Sequence, residues 1–324
     1  MLEGQKHREP TPRSLLITPG DQEGKLRKGQ RIGVQAHLHV IDLEDSVGPD
    51  NKGLALQNAI QLITGDSPIV TPLVLRLNSL NPEVGRGFAD DLRDLGGLLG
   101  NPKYVNRERL RLLMIPKVNN ATEVRVIEKQ LQDLSIPQSL RLIWILETAQ
   151  AIEERKEIIK ESRLACAILL GWEDLSISLG MTSKPENIFD NEALKSVATK
   201  VIGTAKASGL LVYDGVNKNI ENPLALIAQS ESMKAIGANG KLAIHPNQIP
   251  HINRAFRPSD SEVAWSRRIV DSVPENWDGG AFSCNGEMVE RMHHILAMKI
   301  LDEVKAIEAA EAAIRERGGM AATA

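Results

Sequence analysis

The residues best suited to chemistry in this 324-residue chain stand directly after short apolar runs. Asp42, Glu44 and Asp45 follow His39-Val40-Ile41, Arg76 follows Pro72-Leu73-Val74-Leu75, and Lys117 follows Leu112-Leu113-Met114-Ile115-Pro116. Glu147 ends the run Leu142-Ile143-Trp144-Ile145-Leu146, and Asp174 closes the run from Ala167 to Glu173. Carboxylates brought together without a cation repel, and one of them keeps its proton. A hard divalent ion relieves this, and Mg2+ is commonly held by one or two carboxylates while water and substrate oxygens complete its octahedron. Glu147 and Asp174 therefore read as a metal pair, or one of them as a helix cap, as Glu147 before Thr148-Ala149-Gln150 could be. Asp42, Glu44 and Asp45 read as holders of metal-bound water or as caps of the next helix. Arg76 suits bidentate recognition of a carboxylate or stabilisation of an enolate oxygen; the alternative is an ion pair with Glu44 or Asp45. Lys117 reads as a Schiff-base nucleophile or as an electrostatic or structural lysine.

The runs that carry these residues have the length of strands, at 14–17, 38–42, 70–77, 112–115, 140–146, 166–170, 210–213 and 242–244. Segments with helical spacing lie between most of them, at 51–64, 121–134, 148–161, 191–208 and 223–236. Strands that alternate with helices and are apolar along their length predict a parallel sheet covered on both faces. Eight of them predict closure into a (β/α)8 TIM barrel, with an open doubly wound sheet as the alternative. In a barrel the strand ends converge on one face, where such enzymes build their active sites. The expected organisation is a flexible arm over 1–12, a catalytic barrel over 13–256, a C-terminal helical extension over 257–317 that reaches a neighbouring subunit, and a disordered tail over 318–324. A long helix is expected from about 286 to 317, because Met288, Val289, Ile295, Ile300 and Leu301 need a surface to cover.

Bulk properties narrow the function classes. A net charge of -3 with scattered Lys and Arg offers no field for nucleic acid. The apolar runs fall far short of the ~20 residues a membrane span needs. The polar first twelve residues lack the apolar segment of a secretory signal, so a cytoplasmic location is the expectation. Cys166 reads as a reduced core residue and Cys284 as a polar-loop residue.

Several other residues invite chemistry and are set aside. His37 and His39 share a strand face but stand at its N-terminal end, the stability side of a barrel, so a core role is expected. His245, in Ala243-Ile244-His245-Pro246, reads as a site group or a rim residue. His293 and His294 are adjacent on a helix and cannot share a face. Gly237-Ala238-Asn239-Gly240-Lys241 lacks the spacing of a phosphate loop, and no Gly-x-Ser-x-Gly elbow is present.

Seven stretches in order carry a family resemblance. They are Arg13-Ser14-Leu15-Leu16-Ile17-Thr18-Pro19-Gly20, Ile41-Asp42-Leu43-Glu44-Asp45-Ser46-Val47, Arg76-Leu77-Asn78, Ile115-Pro116-Lys117, Glu147-Thr148-Ala149, Gly171-Trp172-Glu173-Asp174-Leu175 and Gly240-Lys241-Leu242-Ala243-Ile244-His245-Pro246-Asn247-Gln248-Ile249. On these the chain resembles the citrate lyase beta subunit-like (CitE-like) branch of the HpcH/HpaI aldolase superfamily. The resemblance implies a (β/α)8 barrel that forms a homo-oligomer, a trimer or hexamer, and binds Mg2+ and an acyl-CoA. It implies a carbon-carbon lyase that breaks or forms the bond between an acyl-CoA enolate and a 2-oxo acid, as malyl-CoA, citramalyl-CoA and citryl-CoA lyases do. Glu147 and Asp174 match the family's metal ligands. Arg76 matches its substrate-binding arginine, with Asn78 and Lys117 as further substrate contacts and Glu44 and Asp45 as catalytic acids. Many relatives carry Gly-x-Met-Ile/Val-Asp-x-Pro near the C-terminus, with the Asp serving an adjacent subunit as acid/base. This chain has Gly286-Glu287-Met288-Val289-Glu290-Arg291-Met292, so Glu290 takes that role with a side chain one methylene longer. Asn119 also replaces an acid. These departures leave open thioester hydrolysis, a class II aldolase acting on a free 2-oxo acid, and a barrel that has lost its chemistry.

Overall fold

The computed structural model describes residues 9–31, 35–82, 85–182 and 185–321, with side chains described through residue 313. The chain divides into two compact units, one spanning Pro12–Phe256 and the other joining the described residues before Pro12 to the chain from Arg257 onward.

The first unit alternates strand and helix. Its elements are β1 (Ser14–Pro19), α1 (Glu23–Gly29), β2 (Leu38–Asp42), α2 (Lys52–Thr64), β3 (Leu73–Arg76), α3 (Phe88–Leu99), β4 (Leu110–Ile115), α4 (Ala121–Asp133), β5 (Arg141–Leu146), α5 (Ala149–Glu153), α6 (Arg155–Glu161), β6 (Ala165–Leu170), α7 (Trp172–Ser178), α8 (Glu192–Ala207), β7 (Leu211–Asp214), α9 (Pro223–Ala235), β8 (Gly240–Ala243) and α10 (Ile249–Ala255). The strands pair in parallel in chain order, and β8 returns to β1, so the sheet is a closed eight-stranded barrel. Strand residues alternate between two apolar layers because successive side chains point to opposite faces. Leu15, Val40, Val74, Ile143, Leu169 and Leu242 fill the barrel interior. Their neighbours, such as Ile41, Leu75, Trp144 and Ile168, pack outward into the larger core shared with the helices. Glycine makes the closing seam possible: a Cβ at Gly240 would lie 2.2 Å from the Arg13 carbonyl oxygen.

Differences from the expected elements have local causes. The third strand begins at Leu73 rather than 70, because the Val70 and Thr71 N–H groups donate to the Gln30 side chain and Pro72 has no N–H to give. The segment 148–161 is two helices that meet at Glu154, the first capped by the Thr148 hydroxyl on the Ala151 N–H. Helices α1, α3 and α7 were not among the expected elements.

The second unit contains α11 (Asp260–Asp271), the hairpin β9 (Phe282–Cys284) and β10 (Glu287–Val289), and α12 (Arg291–Ala321). The stretch expected to begin a helix at 286 is therefore a strand. Asn285 and Gly286 have φ of 51° and 82°, the paired left-handed conformation of a two-residue hairpin turn, which Asn-Gly favours. Glu290 falls between the hairpin and α12. The helix continues through Ala321, into the stretch expected to be disordered, while 322–324 lie outside the described residues, as do residues 1–8 of the expected flexible arm. Thr11 of that arm is anchored, donating from its backbone N–H and its hydroxyl to the Glu303 carboxylate at 2.8 and 3.2 Å. Cys284 is a buried strand residue rather than a loop residue, and both cysteines are free thiols. Among the described residues, no helix is long and apolar enough to cross a membrane.

Candidate active site

The alternation that fills the barrel also aims its polar residues. Continuing the inward rows by two positions leads from Val40 to Asp42 on β2, from Val74 to Arg76 on β3 and from Ile145 to Glu147 just past β5. On β6 and β7 the same step reaches Gly171 and Gly215. A cavity of about 720 Å³ opens at this end, lined by Asp42, Asp45, Arg76, Glu147 and Asp174 on its charged side. Ile17, Ile145, Leu169, Val216 and Leu242 form its apolar floor, and Lys25, Lys28, Lys218 and His245 also line it.

Arg76 is clamped in place. Its Nε and Nη2 donate to the two Asp42 oxygens at 2.6 Å each, and Nη1 pairs with Glu44 Oε2 at 3.2 Å. Asp42 is fully buried and also accepts from the Glu44 N–H, the Ser46 N–H and the Ser46 hydroxyl. Burial pushes the Asp42 carboxyl up, but the Arg76 charge and these hydrogen bonds outweigh it and hold the pKa below the usual range. The sequence reading left Arg76 a structural partner in Glu44 or Asp45; the main partner is Asp42.

Lys117, partly exposed at the rim, is bonded at both its ammonium and its backbone N–H. Its Nζ pairs with Glu44 at 2.8 Å and Asp45 at 2.9 Å, and its backbone N–H donates to Glu147 Oε1 at 2.8 Å. That backbone bond requires a left-handed φ of 53° at a non-glycine residue, a strain of order ~1–3 kcal/mol of the kind that marks functional turns. Burial lowers the ammonium pKa, yet Glu44 and Asp45 more than reverse this and raise it. A Schiff-base lysine needs the opposite shift, so the nucleophile reading does not fit. Glu44 is not among the cavity-lining residues; burial first, and then Asp45, push its pKa to about 6 against the pull of Arg76 and Lys117. Asn78 is also withdrawn from the cavity: its Oδ1 accepts from Lys52 at 2.7 Å and its amide donates to Asp91. These bonds, with its backbone N–H on Asp91 at 2.8 Å, brace the loop after β3.

Glu147 is buried and Asp174, in the first turn of α7, is partly buried. Burial raises the pKa of both, and the neighbouring charges of Asp174 on Glu147 and of Asp45 on Asp174 raise them further. Among the described residues, the ion pairs of Arg76 and Lys117 go to Asp42, Glu44 and Asp45, and none reaches Glu147 or Asp174. The backbone leaves room for Glu147 only because residue 171 is glycine, where a Cβ would lie 2.4 Å from Glu147 Oε2. Two oxygen donors facing a cavity, raised in pKa and lacking an ion-pair partner, fit a hard divalent cation. No cluster of three or more His, Cys, Asp or Glu suited to a metal occurs among the described residues.

Glu290 lies in the second unit, exposed, with its backbone N–H donating to His293 Nδ1 at 3.0 Å. His39 is fully buried against Thr18 and Gln30, and burial lowers its pKa to about 4, the core role expected of it. The rim lysines Lys25 and Lys28 were not among the expected site residues; their one sequence signal is their place on a short helix after the first strand. Nor were buried Asp214 and Lys241, which terminate and open apolar strands.

A family model described as HpcH/HpaI aldolase/citrate lyase matches residues 13–246. A (3S)-malyl-CoA thioesterase of Cereibacter sphaeroides is 28% identical over 303 residues, covering 92% of this chain and 96% of that protein. The mitochondrial citramalyl-CoA lyase of Homo sapiens is 28% identical over 292 residues, covering 86% and 81%. A crystal structure of the CitE protein of Mycobacterium tuberculosis, in complex with magnesium, acetoacetate and coenzyme A, superposes with a TM-score of 0.69 at 27% identity, covering 91% of this chain and 98% of that one. With the match spanning the whole closed barrel from β1 to β8, the chain belongs to the HpcH/HpaI aldolase/citrate lyase family.

Proposed function

We propose that this protein is a Mg2+-dependent carbon-carbon lyase that cleaves or forms a 3-hydroxyacyl-CoA, with an acyl-CoA and a 2-oxo acid as the other side of the reaction. Malyl-CoA, citramalyl-CoA and citryl-CoA are the candidate substrates. The observation that carries the reading is the pair Glu147 and Asp174, both lining the cavity, raised in pKa and without an ion-pair partner among the described residues, beside an arginine locked in orientation. The magnesium and coenzyme A bound by the Mycobacterium structure support it.

Glu147 and Asp174 would hold the ion, which when bound supplies a Lewis acid for the substrate carboxylate and its neighbouring oxygen. Asp42 fixes the Arg76 plane before substrate arrives, so the remaining N–H groups stabilise negative charge at the reacting centre without reorganising. Lys117 neutralises Glu44 and Asp45, and its N–H orients Glu147. Lys25 and Lys28 offer positive charge to the phosphates of a coenzyme A thioester, while Lys218 is ion-paired with Glu173 at 2.6 Å. In the cleavage direction the 3-hydroxyl passes its proton to water at the site, its C–O bond becomes the carbonyl of the 2-oxo acid as the carbon-carbon bond breaks, and the electron pair of that bond moves onto the thioester as an enolate. Glu290 of a neighbouring subunit then returns a proton to the acyl-CoA carbon. The exposed Met288, Met292 and Leu296 around Glu290 support a role for this segment at a subunit boundary.

Thioester hydrolysis is the second reading, favoured by the similarity to the malyl-CoA thioesterase and by Glu in place of Asp at 290. Incubation with a panel of 3-hydroxyacyl-CoAs and Mg2+, followed by mass spectrometry, separates the two. Acyl-CoA plus 2-oxo acid supports the lyase, whereas free coenzyme A plus hydroxy acid supports hydrolysis. Activity on free 2-oxo acid aldols without coenzyme A would instead indicate a class II aldolase. Recovery of every thioester intact, with no Mg2+ bound, would leave a non-catalytic barrel.

A further inference from the structure

Behind the cavity, between barrel and helices, lies a buried charge pair that the chemistry above does not use. Asp214 ends β7 and Lys241 sits opposite it in register on β8, and both are fully buried. The Lys241 ammonium is ion-paired with Asp214 Oδ2, which also accepts from Gln229 Nε2 of α9 at 2.9 Å. The other Asp214 oxygen accepts from the Trp172 indole N–H at 2.6 Å. Trp172 is 1% exposed, lines the cavity and is the first residue of α7. Two residues later the same turn presents Asp174, and one residue earlier Gly171 lies against Glu147. The packing leaves the ring little alternative, since a Cβ at Gly215 would lie 2.8 Å from Trp172 Cδ1.

A buried ion pair is a weak source of stability, because desolvation offsets most of the attraction. Its location suggests another use. The pair holds the Asp214 carboxylate in one orientation, that carboxylate holds the indole, and the indole fixes the start of the helix whose first turn aims Asp174. We propose that Lys241 and Asp214 are positioning residues, acting through the Trp172 N–H to set the Gly171-Trp172-Glu173-Asp174 turn and so the aim of Asp174 into the cavity. The inference that this serves metal binding rests on the proposed metal pair; the positioning of the turn does not.

Removing one member of a buried pair strands the other and destabilises the fold, so the test uses variants that remove both charges. Asp214→Asn with Lys241→Met keeps a carbonyl acceptor for the indole, Asp214→Leu with Lys241→Met removes it, and Trp172→Phe removes the donor alone. Mn2+ affinity of the full chain is measured from the free-ion electron paramagnetic resonance signal, and amide hydrogen exchange is followed over residues 172–178. Loss of an outer-shell partner typically weakens metal affinity about 10–100-fold. That loss, with faster exchange in α7, is expected for Asp214→Leu/Lys241→Met and for Trp172→Phe, while Asp214→Asn/Lys241→Met stays near wild type in both. The proposal is overturned if all three variants share the same Mn2+ affinity and α7 protection, whatever their melting temperatures. Should the wild-type chain bind no Mn2+, the metal reading falls, and the exchange comparison alone decides whether the turn is held by this network.

Discussion

Arg76 is the residue whose role is most sharply testable, because its orientation is set by two bonds to one carboxylate. A lysine keeps the charge but cannot reproduce the planar fork. Arg76→Lys is expected to lower kcat about 10²–10³-fold, the scale seen when a preorganised donor is removed. Near-normal steady-state kinetics would reduce Arg76 to an ion-pair partner. The carboxylates make a second prediction. Burial holds the Glu147 and Asp174 pKa values above the ordinary range, and a metal binds their ionised forms, so binding at any pH below those raised values releases protons. Mg2+ affinity should rise with pH, by about tenfold per unit for each proton displaced, and calorimetry in buffers of different ionisation enthalpy should detect the release. The stability of the metal-free protein runs the opposite way. Glu44, raised from 4.5 to about 6, favours the folded metal-free protein below its ordinary pKa, and this contribution is lost as pH rises through about 6. The positions of Asp42, Arg76, Lys117, Glu147 and Asp174 were legible because each closes an apolar run. What each side chain touches was not: Asn78 and Glu44 stand in matching motifs, yet Asn78 bonds to Lys52 and Asp91, Glu44 bonds to Arg76 and Lys117, and neither lines the cavity.

At the scale of elements, glycine decides where side chains can go. Gly171→Ala places a methyl 2.4 Å from Glu147 Oε2 and 2.5 Å from its Cβ, so the turn or the Glu147 side chain must shift. Mg2+ affinity should fall about 10–100-fold, as it does when a ligand's support is disturbed; unchanged titrations would mean the turn yields. Gly203, mid-helix in α8 with open space around it, is the contrasting case. Gly203→Ala should raise stability by roughly 0.4–1 kcal/mol, measured by chemical denaturation, because the unfolded chain loses freedom and nothing clashes. The eight strands were readable from continuous apolar runs. Helix α3 carried a readable signal too, with buried Phe88, Leu92, Leu95 and Leu99 at helical spacing. So did the hairpin before α12, where Asn285-Gly286 is the strongest short-range turn dipeptide. The apolar residues on either side drew the reading toward one long helix. The start of β3 was less legible, because the Gln30 side chain that takes the Val70 and Thr71 N–H groups lies 40 residues earlier.

For the whole molecule, the decisive question is how many subunits complete one site. Glu290→Gln and Glu147→Ala are each expected to be nearly inactive alone. Mixed and reassembled, they should recover part of the wild-type turnover, because some sites would then combine an intact Glu147 with an intact Glu290. Demonstrably mixed oligomers without any recovery would confine Glu290 to a packing role.

The bonds from Thr11 to Glu303 join points 292 residues apart inside one compact unit. Synthesis delivers the chain N-terminus first, and domains generally fold as units while it emerges. The residues of Pro12–Phe256 are all available once the barrel's last helix has left the ribosome, whereas Thr11 must wait for nearly fifty further residues to appear beyond that point. The barrel is therefore the natural first product of translation, and the unit built from both ends its last. Nascent chains arrested at increasing length should acquire a protease-resistant barrel well before residue 11 becomes protected.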